Sequence, residues 1–205
     1  LPFDPSDFVH FRKRIGEEGM KKIFKQSIDL FGEEVIKREV KEVRIDTTVQ
    51  EKNITFPTDR KLCEKAIAYC ERIAGKECIS LKRTYGREIK RLKYQLRFVK
   101  RPRNVKKQSK ALKRLQRIAL KIHHDLDTRL KAGQIDRHDR VMKIILKVLT
   151  QQRADHQKIY SIHEPDVLCI AKGKEHKPYE FGSKSSFAYS RNGGILLGAM
   201  TVEGN

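Results

Sequence analysis

Between Lys82 and Lys121 the chain carries 17 lysine or arginine residues and one acid, Glu88. No other feature limits the fold and the partners of this sequence as strongly. Pro102 and Asn104 split the stretch into two helical segments. In the second, Leu112, Leu115, Ile118, Ala119, Ile122, Leu126 and Leu130 fall on one stripe at helical spacing. That stripe asks for neighbouring helices, so the region reads as antiparallel helices packed on one another. The remaining faces are cationic. On a helix, like charges at i and i+4 repel one another, and phosphates relieve that repulsion while releasing counterions. Tyr85, Tyr94 and Phe98 are interleaved with the cations and suit stacking or packing. A solvated helix face is the plainer alternative.

The whole chain has a formal net charge of +20 over 205 residues, which favours a polyanionic partner, nucleic acid or an anionic membrane surface. Hydrophobic residues make up 38% and charged residues 35%, enough for a core beneath much solvated surface. There is no apolar run of about 18 residues and no signal peptide. A cytoplasmic protein that touches nucleic acid without entering a membrane follows. A membrane-surface helix is weak, because the stripe at 112–130 serves helix packing. The cysteines Cys63, Cys70, Cys78 and Cys169 form no CxxC pair, so they read as free thiols.

The remaining segments read as follows. Ser6 is positioned to cap a helix through Phe8, Phe11 and Ile15; Gly16 breaks it, and a second helix spans about 17–31 with Gly32 as its stop. Two short helices with a glycine break suit either helix-turn-helix binding or ordinary packing. Val43, Ile45, Thr47, Thr48, Val49, Ile54 and Phe56 are strand formers, giving a strand at 42–50, a turn at 51–53 and a strand at 53–56. Pro57 ends the second strand, and Thr58 can cap the next helix. Gly75 and Gly133 read as later helix stops, with a further helix over 136–150. Residues 159–166 read as loop or edge strand. Tyr179 to Tyr189 and Ile195 to Val202 read as strands joined at Arg191-Asn192-Gly193-Gly194, which contains the Asn-Gly signal of a tight hairpin. The fold class expected is α+β: an N-terminal helical lead-in over 1–39, one sheet from 42–56 and 178–202 within 40–57 and 158–205, and a helical insertion over 58–157. The chain opens on Leu1 and its last residues interrupt a strand and the turn after it, so we expect a piece of a longer protein.

Three places suggest chemistry. The basic stretch offers contacts to a nucleic-acid backbone through Lys82, Arg83, Arg87, Lys90, Arg91, Arg97, Lys100, Arg101, Arg103, Lys106 and Lys107. Lys172 and Lys174, beside Gly173, suit phosphate in the same way. Asp46 interrupts a β-branched strand on the face opposite Val43 and Ile45, which suits a solvent-facing position or a metal ligand. In the third, Glu164 and Asp166 suit a hard cation, while His163, Cys169 and His176 fit no standard zinc spacing. A polar surface loop is the alternative there. His123 and His124, adjacent on a helix, do not share a face and read as structural.

Four stretches carry a family resemblance. They are Leu1-Pro2-Phe3-Asp4-Pro5-Ser6 leading to Arg12-Lys13-Arg14-Ile15-Gly16-Glu17-Glu18-Gly19, then Arg44-Ile45-Asp46-Thr47-Thr48-Val49-Gln50-Glu51-Lys52-Asn53-Ile54 with Pro57-Thr58-Asp59. The third runs from Ile159-Tyr160-Ser161-Ile162-His163-Glu164-Pro165-Asp166 through Lys174, and the fourth is Lys177-Pro178-Tyr179-Glu180-Phe181-Gly182-Ser183-Lys184. Together they resemble bacterial DDE transposases of insertion sequences, whose catalytic core is RNase H-like. The resemblance implies that Asp46 is the first catalytic acid and a ligand of divalent metal, normally Mg²⁺, in the cleavage and strand transfer of transposon-end DNA. It implies double-stranded DNA as partner, a possible homo-oligomer in the full-length protein, and a bacterial cytoplasm, close to the nucleoid. It places the second catalytic Asp and the Glu after Asn205, so this length of chain is expected to be inactive in catalysis. Ser185 departs from the family pattern, where an apolar residue is expected, and so does Gly86, read as a helix-interior glycine costing about 1 kcal/mol. A non-catalytic basic nucleic-acid-binding protein is the alternative function.

Overall fold

The computed structural model describes residues 4–97, 104–171, 175 and 178–202. Its element order is α1 (Pro5–Asp29), α2 (Glu33–Glu39), β1 (Val43–Glu51), α3 (Asp59–Lys76), α4 (Gly86–Gln95), α5 (Val105–Asp127), α6 (Ala132–Thr150), β2 (Leu168–Ala171), β3 (Tyr179–Ser190) and β4 (Leu196–Val202). This is a mixed α+β chain with an antiparallel sheet. It divides into two compact units, one of residues 1–50 and 183–204, the other of residues 51–182.

In the second unit the apolar stripe is buried as its spacing requires, Leu112 in part and the rest fully. Leu115, Ile118, Ala119, Ile122 and Leu126 are at most 1% exposed, and Leu130 follows at 8%. α5 is the central helix, in contact with α3, α6 and α4, while α3 and α6 also touch. Leu62, Ala66, Ile67 and Cys70 of α3 and Ile145 and Leu149 of α6 close the core around it. Directional bonds set the helix register. The ring of buried His123 hydrogen-bonds the Met142 carbonyl at 3.0 Å. Glu77, at the end of α3, accepts from His138 at 2.7 Å and from Arg137 at 2.8 Å, both on α6. The reading of His123 as structural holds.

The helix ends differ from expectation where long-range structure intervenes. Thr58 does cap α3, its hydroxyl accepting the Lys61 N–H at 3.3 Å. Gly86 is the first residue of α4 rather than an interior one, so the interior-glycine cost does not apply. Gly133 lies in the first turn of α6 and does not end α5. The α5 ladder stops at Asp127, and the Gln134 side chain accepts the Lys131 N–H at 2.9 Å to start the next helix.

The strand expected over 53–56 does not form. The Lys52 N–H still bonds the Phe181 carbonyl at 2.9 Å, but Ile54 N–H then turns back to the Lys52 carbonyl. The place beside β1 belongs to β3, not to a hairpin partner. Phe56 packs edge-on against Phe181 instead, with ring centroids 5.5 Å apart. β2, just after the segment expected as loop or edge strand, pairs antiparallel with β3 from Leu168 opposite Gly182 to Ala171 opposite Tyr179.

In the first unit Asp4, not Ser6, caps α1: its carboxylate accepts the Ser6 N–H at 2.9 Å and the Ser6 hydroxyl at 2.6 Å. Gly16 breaks α1 as expected: its backbone is non-helical at φ 65° and ψ −171°, so Pro5–Asp29 is two helices joined across a kink. Gly32 opens α2, a helix the sequence reading lacks. The expected sheet is present: β1 neighbours β3, and β3 pairs antiparallel with β4 from Lys184 opposite Val202 to Tyr189 opposite Leu196. The β3–β4 turn is longer than a two-residue Asn-Gly turn. Gly194 supplies the left-handed residue at φ 62°, and its N–H bonds the Ser190 carbonyl at 3.2 Å. Buried Glu39 fixes this turn by accepting the Gly193 N–H at 2.8 Å. A Cβ on Gly193 would sit 2.9 Å from that carboxylate oxygen, so any larger residue there would have to displace the Glu39 carboxylate.

Candidate nucleic-acid interface

α4 and α5 turn their apolar residues inward and leave their cations outside. On α4, Ile89 and Leu92 are buried while Arg87, Lys90 and Arg91 are exposed. Lys82 and Arg83 precede the helix and Arg97 follows it, all exposed. Tyr85 has a left-handed backbone at φ 55°, which costs a non-glycine residue about 1–3 kcal/mol. The Arg83 guanidinium lies over the Tyr85 ring, 5.0 Å from its centroid, a cation–π contact that limits where that charge can point.

α5 carries the more regular display. Lys106, Lys110, Lys113, Arg117 and Lys121 are exposed and recur at intervals of three or four residues, so they form one row along roughly 22 Å of helix. Among the described residues none of the five has a carboxylate partner. Lys106 and Lys107 lie in the first turn, where there is no acid and no side-chain cap. The positive end of the helix dipole disfavours cations there and favours an anion. The acid of this stretch, Glu88, is committed to structure: Arg114 donates to it from Nε at 2.7 Å and from Nη2 at 3.0 Å. That hydrogen bonding holds the Glu88 carboxyl below the usual carboxylate range despite partial burial.

Of the residues expected to contact nucleic acid, Lys82, Arg83, Arg87, Lys90, Arg91, Arg97, Lys106 and Lys107 are exposed as the reading requires. Lys100, Arg101, Arg103, Lys172 and Lys174 lie outside the described residues. The expectation did not single out Lys110, Lys113, Arg117 or Lys121, although their spacing was the available signal.

Asp46 is exposed on β1. Thr47 and Ser186 meet through their hydroxyls at 2.7 Å, and Arg191 N–H bonds the Glu42 carbonyl at 3.0 Å. In that antiparallel register Asp46 stands across from Phe187, on the face opposite Ile45. No group of three His, Cys, Asp or Glu side chains able to hold a metal is found among the described residues. The segment around His163 offers none: His163 Nδ1 is paired with the Ser161 hydroxyl at 2.7 Å, and Glu164 lies 4.0 Å from the Lys52 ammonium. His176 lies outside the described residues.

No family model matches this chain, and no solved structure matches it. A protein of Rhizobium meliloti described as uncharacterized, ORF8 in nfe locus, is 38% identical over 92 residues. The matched region is 44% of this chain and 44% of that protein, so the likeness spans less than half of the relative's length.

Proposed function

We propose that this chain is a DNA-handling part of a DDE-type transposase and that its own activity is binding of the duplex backbone. The observation that carries the binding half is the cation row of α5 beside the exposed cations of α4, with Glu88 already spent on Arg114. Such a surface neutralises phosphates without reading bases. The transposase half rests on the sequence resemblance, with Asp46 on the first strand of an RNase H-like sheet as the catalytic acid. The resemblance brings Mg²⁺ with it. One exposed carboxylate does not by itself make a two-metal centre, and among the described residues no group of three His, Cys, Asp or Glu side chains able to hold a metal is found. A purely non-catalytic binding protein is the second reading. Among the described residues no helix is long and apolar enough to cross a membrane, and the proposed setting is a bacterial cytoplasm.

The test is fluorescence anisotropy of a labelled 30-base-pair duplex (about three helical turns) titrated with the 205-residue chain at several salt concentrations. Affinity should fall steeply with salt and be the same for unrelated sequences. A flat salt response removes the binding reading. The two functional readings separate at Asp46. In the longest open reading frame carrying this sequence, Asp46→Ala abolishes metal-dependent strand cleavage and leaves duplex affinity in place. Cleavage that survives the substitution refutes the catalytic assignment.

A further inference from the structure

We propose that Lys82, Arg83, Lys121 and His124 form one seat for a backbone phosphate of duplex DNA, an inference that rests on the duplex-binding reading above. Lys121, His124, Asp125 and Thr128 recur at i, i+3, i+4 and i+7, so they share one face of α5. The loop before α4 lies against that face. Lys82, Arg83 and Tyr85 from the loop and those four residues from α5 line a single concavity.

The loop is held there by a specific contact. The Asp125 carboxylate accepts the Lys82 backbone N–H at 2.7 Å and Arg129 Nε at 2.9 Å. Arg129 in turn donates from Nη1 to the Ser80 carbonyl at 3.1 Å. The negative charge of the concavity is therefore used in construction. The Thr128 hydroxyl is likewise spent on the His124 carbonyl at 3.0 Å. What faces a ligand is two ammonium groups, one guanidinium steadied over Tyr85 and one imidazole. Several donors lining one concavity suit the oxygens of a phosphate, and the guanidinium fork matches that ligand. Lys121 also ends the exposed row that starts at Lys106, so a strand lying along α5 runs into the seat.

A delocalised positive field and a seat predict opposite rankings for two double variants. Lys106→Gln with Lys110→Gln removes two charges from the far end of α5. Lys121→Gln with His124→Gln removes one lysine charge and one imidazole from the concavity. Charge counting makes the first variant the weaker binder. The seat makes the second weaker, by roughly tenfold against the parent for loss of a charge-assisted phosphate contact. Anisotropy with the same duplex at fixed salt reads the ranking. Lys82→Gln with Arg83→Gln, from the opposite wall, should lose more affinity than Lys106→Gln with Lys110→Gln, and it guards against misfolding of the α5 variant.

If the parent binds duplex but both seat variants bind better than the distal one, the seat is refuted and the binding reading stands. A parent that binds no duplex refutes both. Displacement of the duplex by polyaspartate as effectively as by unlabelled duplex assigns the concavity to an acidic protein and overturns the proposal.

Discussion

Replacing Lys106, Lys110, Lys113 and Arg117 by glutamine should make the protein more stable and its grip on DNA weaker. Both signs come from the same geometry. The four side chains are exposed on α5 and, with Lys121, sit three or four residues apart in succession. Their removal relieves four like-charge contacts, each worth about 0.2–0.5 kcal/mol, and glutamine keeps good helix propensity. The expected gain is roughly 1–2 kcal/mol at low salt, read as a rise in the urea midpoint followed by far-ultraviolet circular dichroism. Duplex binding moves the other way. If all four cations contact phosphate, the slope of log affinity against log salt becomes shallower by about 3.6. Between about 50 and 200 mM salt the parent then weakens about 150-fold more than the variant. A variant that is destabilised would show that these side chains are held by contacts the exposed row does not have. A variant with an unchanged salt slope would show that DNA lies elsewhere.

Other perturbations report on the scaffold. Leu126→Ala, at a fully buried position of α5, should cost about 2–5 kcal/mol in chemical denaturation; a loss well under 1 kcal/mol would contradict the packing of α5 as the central helix. Burial, with Asp59 and Glu64 nearby, pushes the Cys63 thiol up to about 12, and burial with Glu71 nearby does the same for Cys70. A thiol reagent at neutral pH should therefore label exposed Cys78 quickly and reach Cys63 and Cys70 only on unfolding; fast labelling of all three would refute that core. The hydrogen bond from His138, opposed by burial and aided by Arg137, keeps the Glu77 carboxyl below its ordinary range. The folded value is the depressed one, so its stabilisation is complete above the ordinary carboxylate range and is lost as pH falls through the folded value. Glu77→Gln should remove that part of the acid sensitivity, and an unchanged acid-unfolding profile would show that the pair is not coupled to folding.

What the sequence made legible was local, and what it hid was distant. The burial of Leu115, Ile118, Ile122 and Leu126 follows from a 3.6-residue period within one helix, which needs no knowledge of the neighbours. The strands at β3 and β4 follow from runs of strand formers on either side of a glycine turn. Ile54 and Phe56 have the same strand-forming character, yet they form no strand, because pairing is decided by which segment occupies the edge beside β1. That segment is β3, with Phe181 about 130 positions from Lys52 in the chain and bonded to it. Glu39 shows the same limit: nothing around it signals that its carboxylate will hold Gly193, 154 positions away.

The candidate interface divides along the same line. The cations of α4 and α5 could be counted from composition, and their display as a row could be read from spacing. The concavity at Lys121 could not, because it exists only once Asp125 captures the Lys82 backbone across 43 positions. His124 changes role for that reason. Its neighbour His123 points into the core toward Met142, as two adjacent helical residues must diverge, and the divergence that buries one histidine turns the other toward Lys82 and Arg83. A cationic surface can bind DNA wherever the charges happen to lie, whereas a seat depends on a loop being tied to a helix. Asp125→Asn is then the most informative single change outside the contacting residues. It adds positive charge to the surface, which charge counting rewards with tighter binding, yet it weakens the tie that assembles the seat. Weaker duplex binding with secondary structure retained would favour an assembled site, and tighter binding would favour a diffuse field.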